Sequence, residues 1–114
     1  MANQLENYAL GQWTKGSSEG QMLYNAITGD EIATASSAGL DFGAMMDYAR
    51  TVGGPKLRKM TFQERGLMLK KLALYLMERK EEFYTVSWAT GATRADSWVD
   101  IEGGIGTLFT YASL

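Results

Sequence analysis

The sequence contains no cysteine and no histidine. Without cysteine there is no disulfide framework, no thiolate nucleophile and no thiolate metal site. Without histidine the commonest general base and transition-metal ligand is missing. Most families of catalytic site are thereby excluded from these 114 residues. A carboxylate or lysine mechanism stays open in principle, and no spacing points to one. No run of eighteen apolar residues signals a transmembrane helix. The N-terminus, Met1-Ala-Asn-Gln-Leu-Glu6, has neither the basic start nor the apolar core of a signal peptide. Charge of one sign is scarce too: eleven basic residues face thirteen acidic ones, for a net charge of −2. A general nucleic-acid or membrane-surface binder needs a basic stripe, which this chain lacks. The reading is of a cytoplasmic protein without a membrane span.

What is present is an ordinary globular composition, 46% apolar and 21% charged. The length allows one domain at most. Residues 1–11 are polar and weakly patterned. Gln12 to Lys15 reads as a short strand, followed by a loop from Gly16 to Gly20. Met22 to Ala26 reads as a second strand running into the turn Thr28-Gly29-Asp30, where Gly29 is suited to positive φ. Glu31 to Thr34 alternates as an edge strand does. Such a unit is too slight to be stable without something to pack on.

The rest is helical in pattern. Asp41 is placed to cap a first helix, with Leu40 and Met45 as a hydrophobic staple, and Gly53-Gly54-Pro55 is expected to end it. Thr61-Phe62-Gln63-Glu64 is a capping box. Met68, Leu69, Leu72, Ala73 and Leu76 then recur at helical spacing. The charged stretch Glu78 to Glu82 predicts a kink or short break before the helix continues to Gly91. A last helix runs from about Ala95, with Val99, Ile101, Ile105, Leu108, Phe109 and Ala112 apolar. It carries no cap, no closing glycine and no polar tail, so the expectation is that a longer protein continues beyond Leu114. The predicted fold class is mainly α with a small N-terminal β-hairpin-like unit: a strand-turn-strand unit over 1–37 and a helical segment over 38–114.

Several clusters invite a functional reading. Glu102-Gly103-Gly104-Ile105-Gly106-Thr107 suggests a phosphate-cradling loop, but no strand precedes it and no lysine follows it. Three glycines in four positions of a helix each cost about 1 kcal/mol against alanine, which argues for close approach of a backbone or ligand. Asp96 and Asp100 share a helical face, yet no further oxygen ligands converge to hold a cation. With Glu102 they read as solvated helix charges or first-turn dipole partners. Lys70, Lys71, Arg79 and Lys80 read as the polar face of an amphipathic helix. Trp13, Trp88 and Trp98 read as core or interface anchors.

Trp13, the Asn25-Ala26-Ile27-Thr28-Gly29-Asp30-Glu31 turn and the Glu64-Arg65-x-x-x-Leu69 helix start resemble the N-terminal region of aldehyde dehydrogenases. The block from Thr90 to Ser113 is similar to the bifunctional, ring-opening members of that family found in aerobic phenylacetate degradation. The resemblance implies an N-terminal part of an α/β aldehyde dehydrogenase fold. It implies a parent enzyme that opens oxepin-CoA and oxidises the CoA-linked semialdehyde with NADP. The family's cysteine nucleophile, glutamate base and dinucleotide loop all lie downstream of the region that matches this chain. No catalytic, cofactor-binding or metal residue is therefore expected here, and the chain by itself is expected to be silent. Ala26 departs from the family's usual proline, and Ala92-Thr93 from its common Lys-Pro. The resemblance also implies that the last helix borders the substrate tunnel, with Val99 and Gly103 on the tunnel wall. The partners expected are the remainder of the parent chain or further copies of this one. The competing reading is a stand-alone helical interaction module that docks a partner through its apolar C-terminal helix. A small-ligand binder using the glycine-lined face is a third.

Overall fold

The computed structural model describes residues 3–114, and more than half of them are helical. They form two compact units, divided in sequence between Lys56 and Leu57.

The first unit holds all the strands. Strand β1 (Asn3–Gln4) pairs in parallel with β5 (Glu31–Ala35), and β4 (Gln21–Tyr24) pairs antiparallel with the other side of β5. The sheet order is therefore β1-β5-β4, which makes β5 the central strand and not the edge its alternation suggests. Its second neighbour is the two-residue β1, drawn from the stretch that reads as unpatterned. β2 (Asn7–Ala9) and β3 (Gln12–Thr14) make a separate antiparallel hairpin. Its turn is Leu10-Gly11, with φ of 53° and 80°. Positive φ at both central residues is the type I′ geometry that matches strand twist. Leucine there costs about 1 kcal/mol, because its Cβ crowds the following carbonyl. Tyr8 and Trp13 face each other directly across this hairpin, rings edge-on at 5.1 Å.

The turn between β4 and β5 forms as its residues dictate. The Asn25 side chain accepts from the amides of Ile27 and Thr28, and Gly29 takes a φ of 78°. Asn7 donates to the carbonyl of Ser36, and Gln4 to those of Gly16 and Ser18, which ties the strands and loops together. Helix α1 (Phe42–Tyr48) belongs with this unit. Asp41 caps it by accepting from the Ala44 amide, as expected. The helix does not stop at Gly53-Gly54-Pro55. It passes through a π-helical turn (Ala49–Gly53) into α2 (Gly54–Arg58), with Pro55 as the second residue of α2.

The second unit is three helices. α3 (Phe62–Glu78) opens on the capping box, with the Glu64 amide bonded to the Thr61 hydroxyl and the Thr61 amide to the Glu64 carboxylate. It breaks at Arg79, inside the predicted charged stretch, and α4 (Lys80–Trp88) follows. α5 (Arg94–Ala112) packs on both α3 and α4. Ala73 on α3, Tyr84 on α4 and Ser97 and Ile105 on α5 are buried. The apolar stripe of α3 is only partly used: Ala73 is enclosed, while Met68 and Leu72 remain exposed. All three tryptophans are exposed as well, so none of them is a core residue of this chain. α5 does end on a cap. The Ser113 hydroxyl donates to the carbonyls of Phe109 and Thr110.

Candidate functional site

Helix α5 begins at a cap that pattern reading overlooks. The Thr93 hydroxyl oxygen accepts from the Asp96 amide, and the hydroxyl donates to the Asp96 carboxylate. Threonine with an acid three residues on, just before a helical run, is the signal that finds it. Asp96 is thereby occupied as a cap partner. Among the described residues no group of three or more acidic side chains could hold a metal ion.

One face of α5 is fastened to α4 by a charged network. The Lys80 ammonium donates to Glu102 Oε1 at 2.9 Å, and the Tyr84 hydroxyl donates to Glu102 Oε2. Tyr84 is 1% exposed, and the Arg94 guanidinium lies over its ring at 4.4 Å while pairing with Glu81. A turn away, the hydroxyls of Ser87 and Ser97 share a hydrogen bond of 2.8 Å, with Ser97 wholly enclosed. Two expectations are corrected here. Glu102 is not a solvated helix charge, and Lys80 is not part of a free polar face. Their pairing spans 22 residues of sequence, and helical periodicity carries no information at that distance.

The network perturbs its own titration. The hydrogen bond from Tyr84, then that from Lys80, holds the Glu102 carboxyl below its ordinary value. Burial, then the hydrogen bond to Glu102, pushes the Tyr84 hydroxyl above its ordinary value. Both shifts describe a tight structural contact, with the proton kept on tyrosine and the charge kept on glutamate.

The opposite face of α5 is open. Val99 is 65% exposed, and a Cβ built on Gly103 would meet nothing within 4 Å. The same is true of Gly104 and Gly106. Within this chain the glycine cluster therefore mediates no close approach. In the helical unit it is Gly66 on α3 that lies close to another helix: its Cβ would sit 2.8 Å from the Ala112 carbonyl oxygen. On the open face, the Thr107 and Thr110 hydroxyls donate to the carbonyls of Gly103 and Gly106. Such back-bonding gives those carbonyls a second donor and tends to bend a helix slightly. Gly104→Ala is expected to stabilise the protein by about 1 kcal/mol, since it gains helix propensity and meets no neighbour. A urea unfolding midpoint that falls on this substitution contradicts the open space assigned there.

α5 thus has one face locked by buried polar contacts and the other bare. The aldehyde dehydrogenase family model matches residues 13–114. A 3,4-dehydroadipyl-CoA semialdehyde dehydrogenase from Aromatoleum evansii is 37% identical over 109 residues, which are 95% of this chain and 21% of that protein. The chain belongs to the aldehyde dehydrogenase family. It spans about a fifth of the length of this curated relative.

The family implies a nicotinamide cofactor. The glycine cluster does not fit one. Gly103, Gly104 and Gly106 lie in mid-helix, where backbone amides are committed to the helix and none is free to cradle a pyrophosphate. The structure brings Val99 and Gly103 to one exposed face one turn apart, and Glu102 to the locked side beside them.

Proposed function

We propose that this chain is the N-terminal part of a CoA-linked semialdehyde dehydrogenase, with the α/β architecture of its family. The observation that carries the reading is the 37% identity to 3,4-dehydroadipyl-CoA semialdehyde dehydrogenase, which extends over 95% of the chain. The Thr90–Ser113 block narrows it to the bifunctional enzyme that opens oxepin-CoA and oxidises 3-oxo-5,6-dehydrosuberyl-CoA semialdehyde. In this reading the enzyme is cytoplasmic and its cofactor is NADP. No helix among the described residues is long and apolar enough to cross a membrane.

The reaction is assigned to residues outside this stretch, because the family's nucleophile is a cysteine and this chain has none. The role proposed here is structural: α5 forms part of the substrate tunnel wall, with Val99 and Gly103 facing the tunnel. A hydrogen at position 103 leaves room for a bulky thioester chain, and the locked face behind it keeps the wall from moving. The test is the full-length enzyme assayed by NADP reduction with a CoA-linked semialdehyde and with a small aldehyde. Gly103→Met is expected to raise KM several-fold for the CoA substrate and much less for the small aldehyde. Equal effects on both remove position 103 from the wall. Absence of any CoA-semialdehyde oxidation by the full-length enzyme removes the function itself.

A further inference from the structure

One carboxylate ties the bare face of α5 to the rest of the helical unit. We infer that Glu102 is a positioning residue, which holds the glycine stretch over 103–106 in helical form and so sets how bulky an acyl-CoA substrate the wall admits. The inference rests on the reading of α5 as a tunnel wall and names what fixes that wall in place.

The stretch has little helix stability of its own. Gly103, Gly104 and Gly106 fill three of the four positions after Glu102. Glycine is a poor helix former because its backbone has the most freedom to lose. The open side supplies nothing in compensation, since a Cβ at any of the three would meet no atom within 4 Å. The stretch is nonetheless helical, well inside α5. What holds it lies on the other side of the helix: the buried Ile105 and the anchored Glu102. Burial of Ile105 is non-directional, so it draws α5 inward without fixing its rotation.

Glu102 supplies the direction, because both of its oxygens are engaged. Oε1 accepts from the Lys80 ammonium and Oε2 from the Tyr84 hydroxyl, two donors one helical turn apart on α4. A carboxylate gripped at both oxygens resists swinging, which fixes α5 against rotation and against sliding along α4. The Glu102 side chain is 17% exposed, so water screens the contact little. Val99 and Gly103 lie one turn apart on the adjacent strip of the same helix. Rotation or unwinding at Gly103 moves that strip, and a displacement of about 1 Å is enough to spoil substrate placement.

The test measures amide hydrogen exchange by mass, and steady-state kinetics, on the full-length gene product. Glu102→Leu is expected to speed exchange over 103–107 about tenfold, well beyond any change elsewhere in α3, α4 and α5. It is expected to raise KM several-fold for a CoA-linked semialdehyde and much less for a small aldehyde, with kcat unchanged. Glu102→Gln, which keeps an acceptor, is expected to recover most of both effects. Where Glu102→Leu does not fold, Lys80→Met removes one donor only and is read in the same way. Gly104→Ala strengthens the same stretch without meeting a neighbour, and is expected to recover part of both effects in Lys80→Met. Exchange over 103–107 that is unchanged, or faster equally throughout the three helices, overturns the inference and leaves the wall reading to the Gly103→Met assay. Faster local exchange with equal KM changes for the two substrates overturns the inference as well. If Gly103→Met then also fails to separate the substrates, the wall reading falls with it.

Discussion

Glu102→Ala is expected to destabilise the helical unit more than removal of any surface charge in the chain. The substitution takes away the one acceptor shared by the Lys80 ammonium and the Tyr84 hydroxyl. Tyr84 is fully enclosed, so its hydroxyl loses its partner without gaining water. A donor stranded in that way costs its whole desolvation. The exposed Arg94–Glu81 pair is a useful control, because exposed ion pairs contribute little and removing one costs correspondingly little. Thermal unfolding of Glu102→Ala beside Glu81→Ala checks the ranking. Equal midpoints for the two contradict it.

The same contacts set a pH dependence whose sign is fixed by linkage. The folded carboxyl of Glu102 titrates below its ordinary value of 4.5, so its contribution is fully present above that pH. It is lost as pH falls through the lower, folded value. The folded hydroxyl of Tyr84 titrates above its ordinary value of 10.0, so its contribution is fully present below pH 10.0. It is lost as pH rises through the higher, folded value. Glu102→Gln keeps the shape and removes the titration. It is expected to flatten the acid side of the stability profile, and Tyr84→Phe the alkaline side. A Glu102→Gln profile with an unchanged acid limb sinks this assignment.

The second large effect concerns association. The chain exposes 8570 Å². A folded monomer of 12.6 kDa is expected to expose about 6,200 Å², and two independent bodies of half that mass about 7,500 Å² together. On either comparison an excess of about 1,000 Å² or more remains, which is the size of a specific protein interface. Its composition is that of an interface too. Trp13, Phe62, Val86, Trp98, Val99 and Tyr111 are all more than half exposed. Apolar patches on that scale rarely stay uncovered. The 114-residue chain produced alone is therefore expected to self-associate at tens of micromolar, giving a weight-average mass well above 12.6 kDa by sedimentation equilibrium. A clean monomer through 100 micromolar shows that the exposed surface needs no partner.

Local signals are legible in the sequence, and contacts between distant residues are not. The Asp41 cap, the Thr61–Glu64 box, the break near Arg79 and the Asn25–Asp30 turn are all set by residues within a few positions of one another. Each appears where short-range chemistry places it. β1 escapes pattern reading because two polar residues carry no periodicity, and its pairing with Ala33 and Thr34 is thirty residues away. The π-helical turn escapes it because Gly53-Gly54-Pro55 is ordinary stop chemistry, yet here the chain stays helical, with Pro55 as the second residue of α2. Glu102 and Lys80 are misjudged for a shared reason: only the packing of α4 on α5 brings them together. The glycines show the limit best. The Gly103 cluster draws attention and stands in open space, while the solitary Gly66 lies against the backbone of another helix.

On the reading proposed here, these residues are one part of a larger dehydrogenase, and their exposed apolar surface is covered by the rest of its chain. The most direct test is the intact mass of the native gene product in source-cell extract, detected with an antibody to this segment. The predicted result is a species several times larger than 12.6 kDa. A native product of 12.6 kDa would mean that the cell uses this piece alone, and would contradict the reading.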